Sequence, residues 1–582
     1  EEEGGHSLVP LLLSASLAYR EPATQLDGKV FQVQENLVGL LVATVGHSIG
    51  VRVHSVAKQA FYEETSGDAR RVVLNALVED LHQHRDVVNP LFPERFNMGT
   101  TVCTFYSEHL AQCLKDLTRK IDAAAPGKEG GAATDISISN ADILALITWV
   151  ETFITATLEI ALDQNQEEKD VHDTYADQVR ETLNGQLILE LDVLRKLYVR
   201  RASAKLSGWL QSILDKERAS LEAMGAETGP ETAEVGAKGT QRPLLSTAPI
   251  DVFSAIQSEM HTILEDVADP TLAGWSACAM AEGFIEHAEG YERLVEGLDP
   301  SLGPFGQADL RTSREQQEGG GGAKGPGTTP LRRMRSSPAA FEKAIKAIHR
   351  RAASITSIHS DVPESSGLLE KYCVVANSCT VYQKESQHWI RLVEAKLGSW
   401  QRSKRKQFTS NCLNEARKSV KRFKGLVGSA TGRFQGTCGM ALRCLANLII
   451  EDTEEILSTH LFKEAWFLAG CECIATVCAT FTDYCSDLSL YLERNVYEEF
   501  LLTLFDSLVE FYTTELTAWH LRGCVTASWQ TPVRRDVELL FECVSTVAGL
   551  NGAAAGGSAP FPTKPIQSSL ASILEEVARM VI

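Results

Sequence analysis

The sequence predicts an all-α fold built from successive antiparallel helical bundles, and three observations support this prediction. No proline occurs between Gly127 and Gly229 or between Glu364 and Thr531, and a proline in a helix interior costs about 3 kcal/mol. Within these stretches apolar residues recur every three or four positions, which places them on one face of a helix. Alternating strand patterns and Asn-Gly hairpin turns are scarce.

The apolar stripes show where the helices are expected. The longest stripe consists of Leu187, Leu191, Leu194, Tyr198, Ala202, Leu206, Leu210 and Ile213. Two shorter stripes predict helices over Ile143–Leu158 and Phe500–Phe511. Asn495 and Glu498 have the spacing of a capping box, which predicts the start of the last of these helices.

Length and charge limit the classes of function. A chain of 582 residues is too long for one hydrophobic core, so several packed units are expected. The formal net charge is −20. Proteins that bind nucleic acid non-specifically need a cationic surface for the phosphates, so the composition argues against a nucleic-acid partner.

Four segments rich in Gly, Ala, Pro and Glu predict linkers, because they cannot bury enough apolar surface to order the backbone. They are Asp122–Asp135, Glu222–Thr247, Ser301–Pro338 and Asn551–Pro565. The predicted domains are an N-terminal segment (1–36), a first bundle (37–218) with the linker 122–135 inside it, a linker (222–247), a second bundle (248–300 and 339–430) around a disordered Gly-rich linker (301–338), a C-terminal bundle (431–550), a linker (551–565) and a truncated final helix (566–582).

The fourteen cysteines lie inside apolar stretches, which favours reduced, buried thiols in a cytosolic protein. The group around Cys471, Cys473 and Cys478 is a poor zinc site. On a helix, Cys473 points about 200° away from Cys471, so one tetrahedral ion cannot reach all three. His82 and His84 lie two positions apart, which is also wrong for a helical metal pair. The sequence predicts no metal and no cofactor.

The pattern Gly46-His47-Ser48-Ile49-Gly50 matches the nucleophile elbow of serine hydrolases. That turn requires a strand before the serine and a parallel sheet beneath it, and neither is predicted here. The alternative is a buried stretch of small residues at a helix junction. No catalytic residue is therefore predicted, and a serine hydrolase is kept only as the remote alternative.

Two apolar stretches, Leu37–Val51 and Ala465–Phe481, resemble membrane spans. Each is shorter than the ~20 residues that a helix needs to cross a bilayer. Both are interpreted as buried core segments.

One long segment is basic although the whole chain is acidic. Lys396–Lys424 contains ten Lys or Arg and one acidic residue, and Arg332–Arg351 contains seven Lys or Arg and one acidic residue. The hypothesis is that these surfaces meet an anionic partner, either lipid headgroups or an acidic helix. The alternative is a solvated basic helix face. The candidate residues are Arg402, Lys404, Arg405, Lys406, Arg417, Lys418, Lys421, Arg422 and Lys424.

Several motifs, in their order along the chain, resemble those of the exocyst complex component 3 family. Val87–Phe96 resembles the family's Phe-Pro-Pro-x-aromatic junction between helices, and Ile147–Val150 resembles its Leu-Leu-Thr-Trp-Val stretch. The remaining matches are Tyr198–Leu214 with Trp209, Pro249–Phe253 with Gln257, Tyr372–Asn377, Trp466–Leu468, and Thr480 with Asp483, Tyr484 and Asp487. Together they span about Val53 to Phe541, and the family's N-terminal coiled coil and last helices are expected to be missing.

The resemblance implies an elongated rod of stacked helical bundles, of the kind found in tethering complexes. It implies a non-catalytic scaffold that joins other exocyst subunits, contacts SNARE proteins and holds secretory vesicles at the plasma membrane. The expected location is cytoplasmic and peripheral at membrane sites of secretion. A related tumour-necrosis-factor-induced protein, which remodels membranes outside the exocyst, is the alternative, and only partner identity separates the two. The motif residues expected to pack are Phe92, Pro93, Trp149, Trp209, Trp466, Asp483, Tyr484 and Asp487.

Overall fold

The computed structural model describes residues 28–64, 66–92, 97–123, 138–163, 172–224, 243–298, 367–403, 410–463, 466–467, 472–523, 525–554 and 563–581. Every regular element in these ranges is helical, which confirms the predicted all-α class. The α-helices are α1 (Gly28–Lys58), α2 (Gly67–Gln83), α3 (Met98–Ala123), α4 (Asn140–Asp163), α5 (His172–Ala223), α6 (Ala248–His261), α7 (Pro270–Glu296), α8 (Leu368–Ser403), α9 (Ser410–His460), α10 (Glu472–Tyr491), α11 (Arg494–Leu521), α12 (Gln530–Ala554) and α13 (Lys564–Val581).

Short irregular helical segments extend or connect some of these helices. Three are π-helical, namely Gln59–Glu63, His84–Val88 and Thr262–Val267, and two are 3₁₀-helical, namely Asn89–Leu91 and Ala527–Trp529. The linker predictions over 122–135, 222–247, 301–338 and 551–565 fall largely or wholly outside the described residues.

The chain divides into two compact units, each assembled from three separate stretches. Unit 1 comprises Glu1–Gly208, Ala255–Gly283 and Ile390–Leu426, and unit 2 comprises Trp209–Ser254, Phe284–Trp389 and Val427–Ile582. Five helices, α5 to α9, contribute residues to both units. The sequence instead predicted bundles that follow one another along the chain. Those domain boundaries, and the rod, stay predictions.

In unit 1, α1 packs against α3 and α2 packs against α4. The contacts follow the apolar stripes that the sequence shows. In α4, for example, Ile143, Ile147 and Ile154 are almost completely buried. Two polar contacts fix α2 on α4: Arg70 and Asp142 form an ion pair at 2.8 Å, and the indole nitrogen of Trp149 donates to Asn75 at 3.2 Å.

The start of α7 is defined by local chemistry. Ala268, which directly follows the π-helical segment, has a left-handed backbone (φ 55°) that turns the chain out of that segment. Asp269 then accepts hydrogen bonds from the backbone nitrogens of Thr271 (2.9 Å) and Leu272 (3.1 Å), and Pro270 occupies the first helical position. Asp-Pro is therefore a complete helix-start signal at this point.

The core of unit 2 contains a cluster of buried aromatic rings. Tyr382 on α8 and Phe434 on α9 stack with centroids 4.1 Å apart, and Phe284 on α7 lies 5.4 Å from Phe434. His287 shares a 2.9 Å hydrogen bond with the Tyr382 hydroxyl. Burial lowers the pKa of His287 to about 4, so the ring is neutral at physiological pH.

The C-terminal helices of unit 2 pack around apolar stripes. Helix α10 packs against α12, and α13 packs against both α11 and α12. Helix α13 presents a buried stripe at a spacing of three and four residues, formed by Ile566, Leu570, Ile573 and Val577. The helix predicted over 566–582 is observed as Lys564–Val581.

Among the described residues, two helical stretches, Gly39–Glu63 and Asn140–Leu162, are long and apolar enough to cross a membrane. This is weak evidence, since core helices of soluble proteins meet the same test. The first extends the stretch 37–51 beyond the length noted in the sequence, and only one of its faces packs inward, as at Val53 and Ala60. The second is α4, which lies mostly in the core of unit 1.

Candidate functional site

Ser48 does not lie on a nucleophile elbow. The whole pattern from Gly46 to Gly50 lies inside α1, so neither the strand nor the sharp turn that exposes such a serine is present there. The Ser48 side chain is exposed on the helix surface. The local structure also corrects the expected helix junction, because α1 continues through this stretch to Lys58.

The two glycines of this pattern allow α1 and α3 to approach closely. They are four residues apart and therefore lie on the same helix face. A Cβ atom on Gly46 would lie 3.0 Å from the ring of Phe105, and one on Gly50 would lie 2.7 Å from the ring of His109. Both distances are too short for ordinary contact. Helix packing therefore accounts for the Gly-x-Ser-x-Gly pattern.

The cysteines do not form a metal-binding group in the described part of the chain. No disulfide joins the described cysteines, and most of them are buried. Burial raises the pKa of Cys103 and of Cys438 to about 12, so both thiols stay protonated at neutral pH. The described residues contain no group of three His, Cys, Asp or Glu placed to hold a metal ion. Cys471 lies outside those residues.

The described part of the predicted basic surface lies on the first half of α9, in unit 1. Ala416, Phe423 and the other residues of its buried stripe face inward. The cations between them face solvent, namely Arg417, Lys418, Lys421, Arg422 and Lys424. We call these five residues the α9 basic surface. Lys404, Arg405 and Lys406, the side chain of Arg402, and the second basic segment over 332–351 lie outside the described residues.

Three of the five cations on the α9 basic surface form ion pairs. Lys418 pairs with Glu415 one turn earlier at 2.7 Å. Arg422 pairs with Glu282 of α7 at 2.5 Å, and Lys424 pairs with Glu394 of α8 at 2.8 Å. The local positive charge is therefore smaller than the sequence count indicates. These pairs are exposed, and exposed pairs contribute roughly 0–1 kcal/mol each, so an anionic partner can compete for the cations.

The family-motif residues occupy different environments. Trp149 and Trp466 are buried, and Phe92 is half-buried beside the 3₁₀ segment Asn89–Leu91. The indole nitrogen of Trp466 donates to the buried carboxylate of Asp536 at 2.9 Å. Pro93 lies outside the described residues.

Two of these residues are not core residues. Trp209 is 38% exposed. It lies beside the buried stripe of α5 that contains Leu206 and Leu210, so its ring is only partly covered. Asp483 is exposed because the buried face of α10 passes through Phe481 and Cys485, on the other side of the helix.

Tyr484 and Asp487 are half-buried on the border of that face. The Tyr484 hydroxyl donates to the carboxylate of Asp452 on α9. Partial burial, together with the neighbouring charge of Asp483, raises the pKa of Asp487. Both residues contribute to helix packing, and they form no recognisable catalytic pair.

The structure shows one motif residue whose role the sequence did not reveal. Asn377 of α8 is fully buried. Its amide nitrogen donates to the carbonyl oxygens of Leu244 (2.7 Å) and Tyr491 (2.8 Å), and its amide oxygen accepts from the backbone nitrogen of Glu493 (2.8 Å). One side chain thus connects α8 to the segment before α6 and to the α10–α11 junction. The only sequence signal was its position at the end of the Tyr372–Asn377 motif.

A cavity in unit 1 beside Arg70, Asp142 and Trp149 has a volume of about 20 Å³. This is room for roughly one water molecule and not for a substrate.

The comparison with protein families is decisive. The model of the family "Exocyst complex component Sec6" matches residues 48–286 and 331–554. The chain belongs to the Sec6 family. Apart from residues 287–330, the two matched ranges cover the span over which the family motifs were identified, from about Val53 to Phe541. They also include α9 with its basic surface. Membership in this family of exocyst subunits agrees with the prediction of a scaffold rather than an enzyme.

Among solved structures, the crystal structure of the C-terminal domain of the exocyst subunit Sec6p is similar to this Sec6-family chain. The two are 12% identical, with a TM-score of 0.40 over 66% of this chain and 77% of that one. No curated protein matches the sequence significantly.

Proposed function

We propose that this Sec6-family protein is exocyst complex component 3, a non-catalytic scaffold that helps to hold secretory vesicles at the plasma membrane before SNARE-mediated fusion. The observation that carries the proposal is the family match over 48–286 and 331–554. The proposed partners are the other exocyst subunits and SNARE proteins. The proposed location is the cytoplasm, peripheral to plasma-membrane sites of secretion.

The described structure is compatible with this role. A scaffold needs long rigid elements and extended surfaces, and two of the helices, α5 and α9, are 52 and 51 residues long. At a rise of 1.5 Å per residue, each extends over roughly 75 Å.

The first prediction concerns assembly. When the tagged full-length protein is purified from its own cells under conditions that keep complexes intact, mass spectrometry is expected to recover the other exocyst subunits at comparable abundance. Recovery of the chain without those subunits would contradict the proposal and favour the membrane-remodelling relative. Fluorophosphonate labelling that Ser48→Ala abolishes would contradict the non-catalytic assignment.

We further propose that the α9 basic surface binds an anionic partner of the complex. Support comes from five exposed cations on one helix segment of a chain with a net charge of −20. Arg422 and Lys424 also hold α9 to α7 and α8 through their ion pairs. Within the described residues, Arg417 contacts Asn414 and Lys418 contacts Glu415, both on α9 itself, so Arg417, Lys418 and Lys421 can be changed without breaking the contacts of α9 with α7 and α8.

The second prediction tests this surface by charge reversal. The triple variant Arg417→Glu, Lys418→Glu and Lys421→Glu is expected to weaken binding to an anionic partner by about tenfold or more, since each cation near an anionic surface contributes ~1 kcal/mol. A matched control reverses three exposed cations elsewhere in unit 1, Lys58, Arg71 and Arg119.

Two assays separate the sources of the anionic charge. Loss of a co-purifying exocyst subunit would identify an acidic protein surface, and loss of sedimentation with phosphatidylserine vesicles would identify lipid. If the triple variant and its control behave alike in both assays, the α9 basic surface is only a solvated helix face.

A further inference from the structure

Two cysteines of unit 2 lie side by side where α10 packs against α12. Cys478 lies on α10 and Cys543 lies on α12. The Cys543 thiol donates to the carbonyl oxygen of Cys478 at 3.7 Å, and the Cys478 thiol donates to the carbonyl oxygen of Leu539 at 3.8 Å. Leu539 is about one helical turn before Cys543, so each sulfur lies against the backbone of the opposite helix. The backbones of α10 and α12 therefore approach each other closely at this pair.

The two thiols also interact with each other. The Cys478 thiol can donate a hydrogen bond to the Cys543 sulfur, and this bond outweighs burial and lowers the pKa of Cys543. The same hydrogen bond raises the pKa of Cys478, because the remaining proton is held between the two sulfurs. Cys543 is 5% exposed, whereas Cys478 is half-buried. The pair therefore lies at the edge of the core, and it favours one thiolate, which is the form of cysteine that reacts with oxidants.

A second pair of cysteines in unit 2 provides a contrast. Cys379 of α8 and Cys438 of α9 lie near enough for the charge of one to affect the other. Both are almost completely buried, and burial raises the pKa of each thiol. These two thiols stay protonated at neutral pH and are shielded from solvent. Proximity alone therefore does not make a reactive pair.

We propose that Cys478 and Cys543 are an oxidation site and form a reversible disulfide in the presence of a peroxide. A disulfide requires Cα atoms about 4.4–6.8 Å apart and two sulfurs that can approach to about 2.05 Å. Each of these sulfurs already reaches the backbone of the opposite helix. Rotation of the two side chains is then enough to bring the sulfurs together, without a rearrangement of α10 and α12.

The reaction takes two steps. The Cys543 thiolate attacks one oxygen of hydrogen peroxide, which forms an S–O bond and breaks the O–O bond. The product is a sulfenic acid, and the departing hydroxide takes a proton from solvent and becomes water. The Cys478 sulfur then attacks the sulfenic sulfur, which forms the S–S bond and breaks the S–O bond, and the second hydroxide leaves as water with the Cys478 proton. The two thiols lose two electrons in total, and the peroxide gains them.

The disulfide would join α10 to α12 covalently. The two cysteines are 65 positions apart, and the segment between them contains the whole of α11. A cross-link over such a segment restricts the unfolded chain, so the thermal midpoint of unit 2 is expected to be about 5 °C higher in the oxidised protein. This modification goes beyond the proposed scaffold role, and neither proposal depends on the other.

The test uses the purified full-length chain. The protein is treated with hydrogen peroxide, the remaining thiols are blocked with iodoacetamide, and the peptides are mapped by mass spectrometry without reduction. Trypsin cleavage after Arg535 separates Cys543 from the other cysteines, and cleavage before Asp483 by a second protease separates Cys478 from Cys485. The expected product joins the peptides of Cys478 and Cys543 with the loss of two hydrogens, and dithiothreitol is expected to reverse it.

Cys478→Ser is expected to abolish this product. The side chain is half-buried, so serine is expected to leave the helix content unchanged, which circular dichroism checks. Cys444→Ser is the matched control, because Cys444 is also half-buried in unit 2 but lies on α9. This control is expected to form the disulfide as the unchanged protein does. In all three proteins the peptides of Cys379 and Cys438 are expected to stay reduced.

Four results would overturn the inference. Peroxide treatment could yield no link to Cys543, or the link could persist in Cys478→Ser. Cys543 could be joined to a cysteine of a second copy of the chain. Finally, Cys543 could be oxidised to a sulfonic acid without any disulfide. Since the purified chain is used, each of these results is independent of assembly into the exocyst.

Discussion

Replacing Arg195 with alanine is expected to lower the free energy of unfolding of unit 1 by about 3–5 kcal/mol. Arg195 of α5 is only 3% exposed and holds three carboxylates. Its guanidinium donates to Asp269 at 2.7 Å, to Asp192 at 2.7 Å and to Glu151 at 2.5 Å. Removal of the cation would take away the charge partner of the buried Asp269 carboxylate, whereas Glu151 would keep its 2.9 Å ion pair with Arg180.

The arrangement explains the size of this expected effect. Burial disfavours the charge of Arg195, but the carboxylates of Asp269 and Glu151 outweigh burial and raise its pKa. Asp269 is itself 4% exposed and caps the start of α7. The loss of Arg195 would therefore act on three helices at once, namely α4, α5 and α7.

Urea unfolding followed by circular dichroism measures the effect, and Arg200→Ala is the matched control. Arg200 lies on the same helix with a 72% exposed side chain and a 3.5 Å ion pair to Asp122, so its loss is expected to cost less than about 0.5 kcal/mol. Equal midpoints for the two variants would show that the Arg195 network contributes nothing beyond a surface pair. In a double variant, Asp269→Asn is expected to recover part of the loss, since it removes one unpaired charge.

Arg195 also shows which features the sequence could not reveal. The helix around it was predictable, because Leu191, Leu194 and Tyr198 recur at helical spacing and are buried. The role of Arg195 depends on Glu151 and Asp269, which lie 44 and 74 residues away. Periodicity reports which face of a helix is buried, but it contains no information on which distant residues meet that face.

The difference between helix periodicity and the environment of a single side chain also explains two predictions that were wrong. Asn495 and Glu498 had capping-box spacing, yet α11 begins at Arg494, and Glu498 pairs with Arg494 at 3.0 Å instead of capping the backbone. Trp209 was expected in the core by its residue type, but its position beside the stripe leaves it 38% exposed. Local spacing and residue type predict that a helix exists more reliably than they predict the environment of a single side chain.

The α9 basic surface was only partly predictable from the sequence. The α9 basic surface was visible as a run of cations, and the structure added the ion pairs with Glu282 and Glu394 that reduce its charge.

In unit 2, Phe434→Ala is expected to lower the free energy of unfolding by about 3–5 kcal/mol. Phe434 of α9 is fully buried and stacks on Tyr382 with an interplanar angle of 13°. Two rings of α7 also lie close to Phe434. The ring centroid of Phe284 is 5.4 Å from that of Phe434, and the centroid of Tyr291 is 6.0 Å from it. Removal of the ring would leave a cavity bounded by α7 and α8. The surrounding rings also pack against one another, so they cannot readily move to fill the cavity.

Phe434→Leu and Tyr62→Ala separate the causes of the loss. Leucine fills part of the space but cannot stack, so an intermediate loss of about 1–2 kcal/mol is expected. Tyr62 is 40% exposed in unit 1, and its truncation is expected to cost about 1 kcal/mol or less. Urea unfolding gives the free energies, and hydrogen exchange of α8 and α9 locates the change. Removal of a buried ring from a close-packed core is expected to lower the free energy of unfolding more than removal of an exposed ring. If Phe434→Ala costs no more than Tyr62→Ala, the aromatic cluster is therefore not the packing centre of unit 2.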